Sequence, residues 1–154
     1  MHFCAASETH GKNNRAHRPR LSGIIFIYAL EGYPDFQARI TILLEAMDHQ
    51  EIEAFTSELT LAEVLVKPFR ERNVAWQRTY QEVLQPSVNL RLLPVSRAIL
   101  IAAAQVRAQF PIKLPDAIHA ATAQQVSCGS FLTNDPGFKI VKDLPVVLLS
   151  EWQP

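Results

Sequence analysis

No apolar run in this 154-residue chain approaches the length that a bilayer span requires, and the N-terminus lacks the apolar core of a secretory signal. The chain is therefore expected in the cytoplasm, with no membrane partner. Cysteine is scarce. Cys4 and Cys128 are too few for a disulfide framework, and neither sits in a C-x-x-C pair, so reduced thiols are expected. Excess charge is absent as well: 15 Lys plus Arg balance 15 Asp plus Glu, which leaves no global field to draw in nucleic acid. Any such binding has to be local. There is no internal repeat and no low-complexity linker. What remains is ordinary globular usage, 48% hydrophobic and 19% charged, in a chain long enough for one domain with its own core.

Residues 1–21 stand apart from the rest. They are polar, carry Lys12, Arg15, Arg18 and Arg20 against Glu8 alone, and show no sustained periodicity, so a disordered, solvated tail is expected there, ahead of a domain over 22–154. At Gly23 the composition turns to the apolar run IIFIYALEGYPDF, whose first part suits a strand or a helix equally. Pro34-Asp35 opens a helix to about Asp48, with Ile40, Leu43, Leu44 and Met47 on one face. A strand is expected over Ile52–Thr56, then a helix from Ser57 to Val66 closed by Pro68. A helix over about Asn73–Leu84 follows, with Trp76, Tyr80, Val83 and Leu84 as its apolar stripe. Val88–Leu93 reads as a strand, and Ser96 as the N-cap of a helix to about Phe110. A helix opened by Pro115-Asp116, a strand ending in Thr133-Asn134-Asp135 and a short strand over Val146–Leu149 complete the order. Strands alternating with helices imply a mainly parallel sheet covered on both faces, with function at the carboxyl ends of the strands.

Three acids stand out by position, and each also has a structural account. Asp116 lies in the first turn of its helix, where the macrodipole favours a carboxylate by roughly 0.3–1 kcal/mol. Glu63 completes Thr60-x-x-Glu63, a weak match to a capping box because the helix already begins upstream. Asp135 heads Asp-Pro-Gly, which is tight-turn chemistry. Their joint placement at element ends is what points to a site.

The segments FIYALEGYPDF, TSELTLAEVLVKPF, LPDAIHAATA and FLTNDPGF, in this order, resemble the PIN-domain proteins found as VapC toxins, over about Ile24 to the end. The resemblance implies a three-layer α/β/α sandwich with a mainly parallel central sheet. It also implies a metal-dependent ribonuclease whose acids bind Mg²⁺ or Mn²⁺, with an RNA substrate, a cognate antitoxin as partner and often a homodimer. Carried over by position, Glu63, Asp116 and Asp135 are the implied catalytic and metal-binding acids, with Thr133 and Asn134 beside the last. The first acid of the family does not carry over, because Ser22 stands in its place. The preceding Ala16-His17-Arg18-Pro19-Arg20 is poor material for a buried central strand. Weak or absent activity is therefore expected. The alternative is a degenerate, non-catalytic PIN-like protein that acts as a protein-binding module.

The implied chemistry is consistent with these groups. Crowded carboxylates repel by roughly 4 kcal/mol per pair at an effective dielectric near 20 unless a hard dication sits among them. Oxygen donors without thiolate favour Mg²⁺ or Mn²⁺ over zinc. His119, one turn after Asp116, is read as a partly buried packing histidine and not as a ligand. Lys67, Arg70 and Arg72 read as a solvated face rather than an RNA track, and Trp76 with Tyr80 as core rather than a stacking platform.

Overall fold

The computed structural model describes residues 5–6 and 34–152, with side chains from Ala38 onward. Ser22, Cys4, most of the 1–21 tail and the ambiguous run Ile24–Leu30 lie outside the described residues.

The elements are β1 (Ala5–Ala6), α1 (Pro34–Asp48), β2 (Ala54–Ser57), α2 (Leu59–Arg70), α3 (Val74–Val83) and β3 (Leu90–Leu93). They continue with α4 (Arg97–Gln109), α5 (Leu114–Gln125), β4 (Cys128–Thr133), a 3₁₀ turn (Pro136–Ile140) and β5 (Val146–Leu148). β2 and β3 pair in parallel from Ala54↔Leu90 to Ser57↔Leu93, and β4 and β5 in parallel from Phe131↔Val146 to Thr133↔Leu148. β1 adds a short antiparallel pairing to β4, Ala5↔Ser130 and Ala6↔Cys128. Among the described residues these pairings form two sheets, one of β1, β4 and β5 and one of β2 and β3.

The alternation of side chains along β4 and β5 sets up the three layers. Leu132 and Val147 face one way and join α1 residues Ile40, Leu43 and Met47, together with Ala54 and Leu90 from the other sheet. Phe131 and Val146 face the opposite way and join Ile99, Ala103 and Val106 of α4 and the alanines of α5. Helices thus cover both faces of the strands, the α/β/α sandwich that the alternating pattern implies. Within α5, Ala117 through Ala123 are all buried, so this helix is enclosed on every side and packs on α4, β2, β4 and α2. Its small side chains allow that close approach.

Local chemistry explains most boundaries. α1 ends in a Schellman arrangement, with Gln50 N–H donating to Met47 O at 2.8 Å and Glu51 N–H to Ala46 O at 2.8 Å. Gln50 adopts a left-handed φ of 57° to make it, although it is not glycine. Ser96 caps α4 as expected by accepting from Ile99 N, and Asn73 caps α3 by accepting from Trp76 N. The expected stop at Pro68 is overturned: α2 runs through it to Arg70. Proline forfeits one donor in the final turn, while its carbonyl accepts from Asn73 N at 2.9 Å and Gln77 Nε2 at 3.1 Å. The expected start at Ser57 also moves, because Ser57 ends β2 and its Oγ accepts from Leu59 N. Tyr80 is buried against Val64 and Leu84, with Trp76 at a ring-centroid distance of 5.4 Å, so the pair belongs to the core between α2 and α3. Among the described residues no helix is long and apolar enough to cross a membrane.

Candidate active site

Asp116 sits half-buried in the first turn of α5, after Pro115 at the helix start, where the free N–H groups of the turn favour a carboxylate. Asp135 lies immediately beyond β4 and opens the 3₁₀ turn. Its Oδ1 accepts from Gly137 N at 2.7 Å, and its own N–H donates to Thr133 Oγ1 at 3.0 Å. The turn chemistry read from Asp-Pro-Gly is therefore real. A Cβ at Gly137 would lie 2.9 Å from Asp135 Oδ1, so a side chain there would push that carboxylate oxygen out of its place. The turn is fixed to the sheet by Phe138, which is fully buried with its ring centroid 4.9 Å from that of Phe131.

These two elements bring the aspartates to one cleft. Asp116 and Asp135 line it together with Pro111, Lys113, Gly137 and Phe138, around a volume of about 410 Å³. The cleft lies where the amino end of α5 meets the carboxyl end of β4, the end of the strands where open α/β sheets keep their ligands.

Glu63 does not line that cleft. Its Oε2 lies 3.0 Å from Nε2 of His119, a residue 56 positions further along the chain. A carboxylate only accepts, so Nε2 carries the hydrogen. The histidine side chain is 1% exposed and the glutamate 28%, which makes this a largely buried pair across α2 and α5. Burial alone pushes the Glu63 carboxyl up, but the hydrogen bond and the charge of His119 outweigh it and hold the group below its ordinary value near 4.5. The capping-box match at Thr60 dissolves for the same reason. Thr60 Oγ1 bonds Thr56 Oγ1 at 2.8 Å, Glu63 bonds His119, and α2 has no side-chain cap.

The structure thus unites Asp116 and Asp135 and sets Glu63 on the neighbouring turn of α5 through His119. Among the described residues, no group of three or more His, Cys, Asp or Glu stands close enough to hold a metal ion. The donors still suit a hard cation in kind. Two carboxylates share the cleft, no thiol lines it, and Mg²⁺ characteristically keeps several waters and takes only one or two protein carboxylates. Cys128 is buried in the core cluster. The sequence reading missed the Glu63 partnership. Its only signal was His119 one turn after Asp116, which says nothing about what faces it from α2. Lys67, Arg70 and Arg72 are exposed, and Lys67 and Arg70 fall in the last turn of α2, where the macrodipole favours cations.

The PIN domain model matches residues 25–144. Solved structures with a similar fold include VapBC2 from Rickettsia felis bound to a DNA fragment from their promoter (17% identity, TM-score 0.62, 84% of this chain and 96% of that chain). A toxin–antitoxin complex from Klebsiella pneumoniae is 23% identical, with a TM-score of 0.57 over 84% of this chain and 95% of that chain. FitAcB from Neisseria gonorrhoeae is 24% identical, with a TM-score of 0.60 over 82% of this chain and 94% of that chain. No curated protein matches. At these identities the likeness to the solved structures shows the fold.

Proposed function

We propose a function from one premise: the chain belongs to the PIN-domain family. It is a metal-dependent ribonuclease of the VapC kind, the toxin of a toxin–antitoxin pair, acting on RNA in the cytoplasm through a catalytic unit over 22–154. The observation that carries this is the meeting of Asp116 and Asp135, distant in sequence, on the wall of one cleft at the carboxyl end of β4.

Asp116 and Asp135 would hold Mg²⁺ or Mn²⁺ through carboxylate oxygens, with Glu63 as the third acid. Such an ion would lower the pKa of a water and offset charge building on the phosphate. The hydrogen bond from Gly137 N restrains the Asp135 carboxylate, and Lys113 on the same wall offers a positive charge to the incoming RNA backbone. An antitoxin partner is supported by what the similar structures are, VapBC2 and a toxin–antitoxin complex among them. The chain acts as a homodimer, by analogy with the family.

A second reading, a non-catalytic PIN-like protein that binds an antitoxin or another subunit, is favoured by Ser22 in place of the first acid. The lack of three gathered ligands among the described residues favours it too. Cleavage of a labelled RNA by the full chain, with and without Mn²⁺, separates the two. Weak Mn²⁺-dependent cleavage is expected, abolished in Asp116→Asn and raised in Ser22→Asp carrying a rebuilt first strand. Equal cleavage by the native chain and Asp116→Asn would overturn the nuclease assignment. Absence of cleavage from every variant would favour the binding module.

A further inference from the structure

Among the described residues, His119 is a buried titratable side chain that the hydrolytic chemistry above leaves without a task. It is enclosed by the core, yet it spends its Nε2–H on a carboxylate from another helix at 3.0 Å. Packing alone does not call for this, because an apolar side chain at a buried position of α5 would leave no polar group to satisfy. Asp116 and His119 are three residues apart on α5 and so share a face of that helix. Whatever His119 grips is therefore placed beside the turn that carries Asp116.

We propose that His119 is a positioning residue for the cation site, holding Glu63 beside Asp116 as the third acid. This rests on the metal-dependent reading of the Asp116–Asp135 cleft. Only Oε2 of Glu63 takes the bond from His119, and the carboxylate keeps its second oxygen for other work. Glu63 does not line the Asp116–Asp135 cleft, so any effect of its carboxylate on an ion there would pass through water, which Mg²⁺ commonly keeps. Outer partners of this sort fix the orientation of a ligand, and their removal typically lowers metal affinity about 10- to 100-fold. For an acid acting through water the lower end applies.

The test is Mn²⁺ binding by calorimetry to the full, EDTA-treated chain, with thermal melting to establish that each variant is folded. His119→Leu is expected to weaken Mn²⁺ about 10-fold, and His119→Gln, which keeps a donor, to stay within about threefold of native. The double variant Glu63→Gln with His119→Leu is expected to bind no more weakly than Glu63→Gln alone, since the histidine acts only through the glutamate. Native affinity in His119→Leu, or fully additive losses in the double variant, overturns the proposal. In that event a loss in Asp116→Asn would leave the cleft assignment standing, whereas unchanged binding in Asp116→Asn defeats the cleft assignment and this proposal together. If His119→Leu fails to fold, the imidazole nitrogen resonances of the native chain decide. They are expected to shift as Mg²⁺ is added, with the same saturation as binding, and resonances that stay fixed while Mg²⁺ binds overturn the role.

Discussion

Removing the Glu63 carboxylate from the metal-free protein should destabilise it more than removal of the Asp116 carboxylate does. His119 is buried and its Nε2–H has Oε2 of Glu63 as acceptor at 3.0 Å. Glu63→Ala strips that acceptor and leaves a buried donor to be satisfied elsewhere, a loss of about 1–3 kcal/mol. The glutamate side chain is 28% exposed, so part of the charge interaction is screened, and about 2 kcal/mol is the working value. For a chain of this length each kcal/mol moves Tm by about 2–4 °C, so Glu63→Ala should melt about 4–8 °C below native. Glu63→Gln keeps an amide oxygen in place and should lose roughly half as much. Asp116→Asn forfeits the first-turn preference for a carboxylate, about 0.3–1 kcal/mol, and should lower Tm by only about 1–4 °C. The pH dependence follows from the lowered Glu63 carboxyl. Its contribution is fully present above its ordinary value near 4.5 and is lost as pH falls through the lower value of the folded state. The gap between native and Glu63→Gln should therefore close on the acid side. Urea unfolding with EDTA, followed by circular dichroism from pH 7 to pH 3, measures all of this. A Glu63→Ala protein as stable as native at pH 7 would refute the pairing as a structural contact.

Two further outcomes follow from backbone geometry. Gly137→Ala places a Cβ 2.9 Å from Asp135 Oδ1, so the carboxylate must leave its bond to Gly137 N. Stability should fall by about 1 kcal/mol and Mn²⁺ affinity should fall severalfold, and calorimetry showing native affinity would remove Gly137 from the site. Gln50→Gly relieves a left-handed residue at the end of α1, and thermal melting should show a gain of about 0.5–1 kcal/mol; a lower Tm would mean that the Gln50 side chain contributes more than its backbone costs.

Much of the fold was legible because its signals are local. Pro34 and the spacing of Ile40, Leu43 and Met47 define α1 without reference to any other element, and Ser96 announces the start of α4. Pro68 misled for a physical reason. A proline in the last turn of a helix forfeits one donor, and the accepting role of its carbonyl toward Asn73 and Gln77 is invisible until α3 folds back. Glu63 and His119 mark the limit at the candidate site. Each was noticed for its own position, but their partnership exists only once α2 and α5 pack together, and no spacing encodes that. The meeting of Asp116 with Asp135 was more accessible, since both sit at the ends of consecutive elements. The strand-or-helix ambiguity at Ile24–Leu30 and the consequence of Ser22 fall outside the described residues.

Crystals of the full chain grown with Mn²⁺ and examined by anomalous scattering would locate the ion directly. A peak within coordination distance of both Asp116 and Asp135 is the predicted result, with the Glu63 carboxylate still bonded to His119. A Mn²⁺ bound elsewhere, or one held in the cleft without either aspartate, would contradict the account at its root.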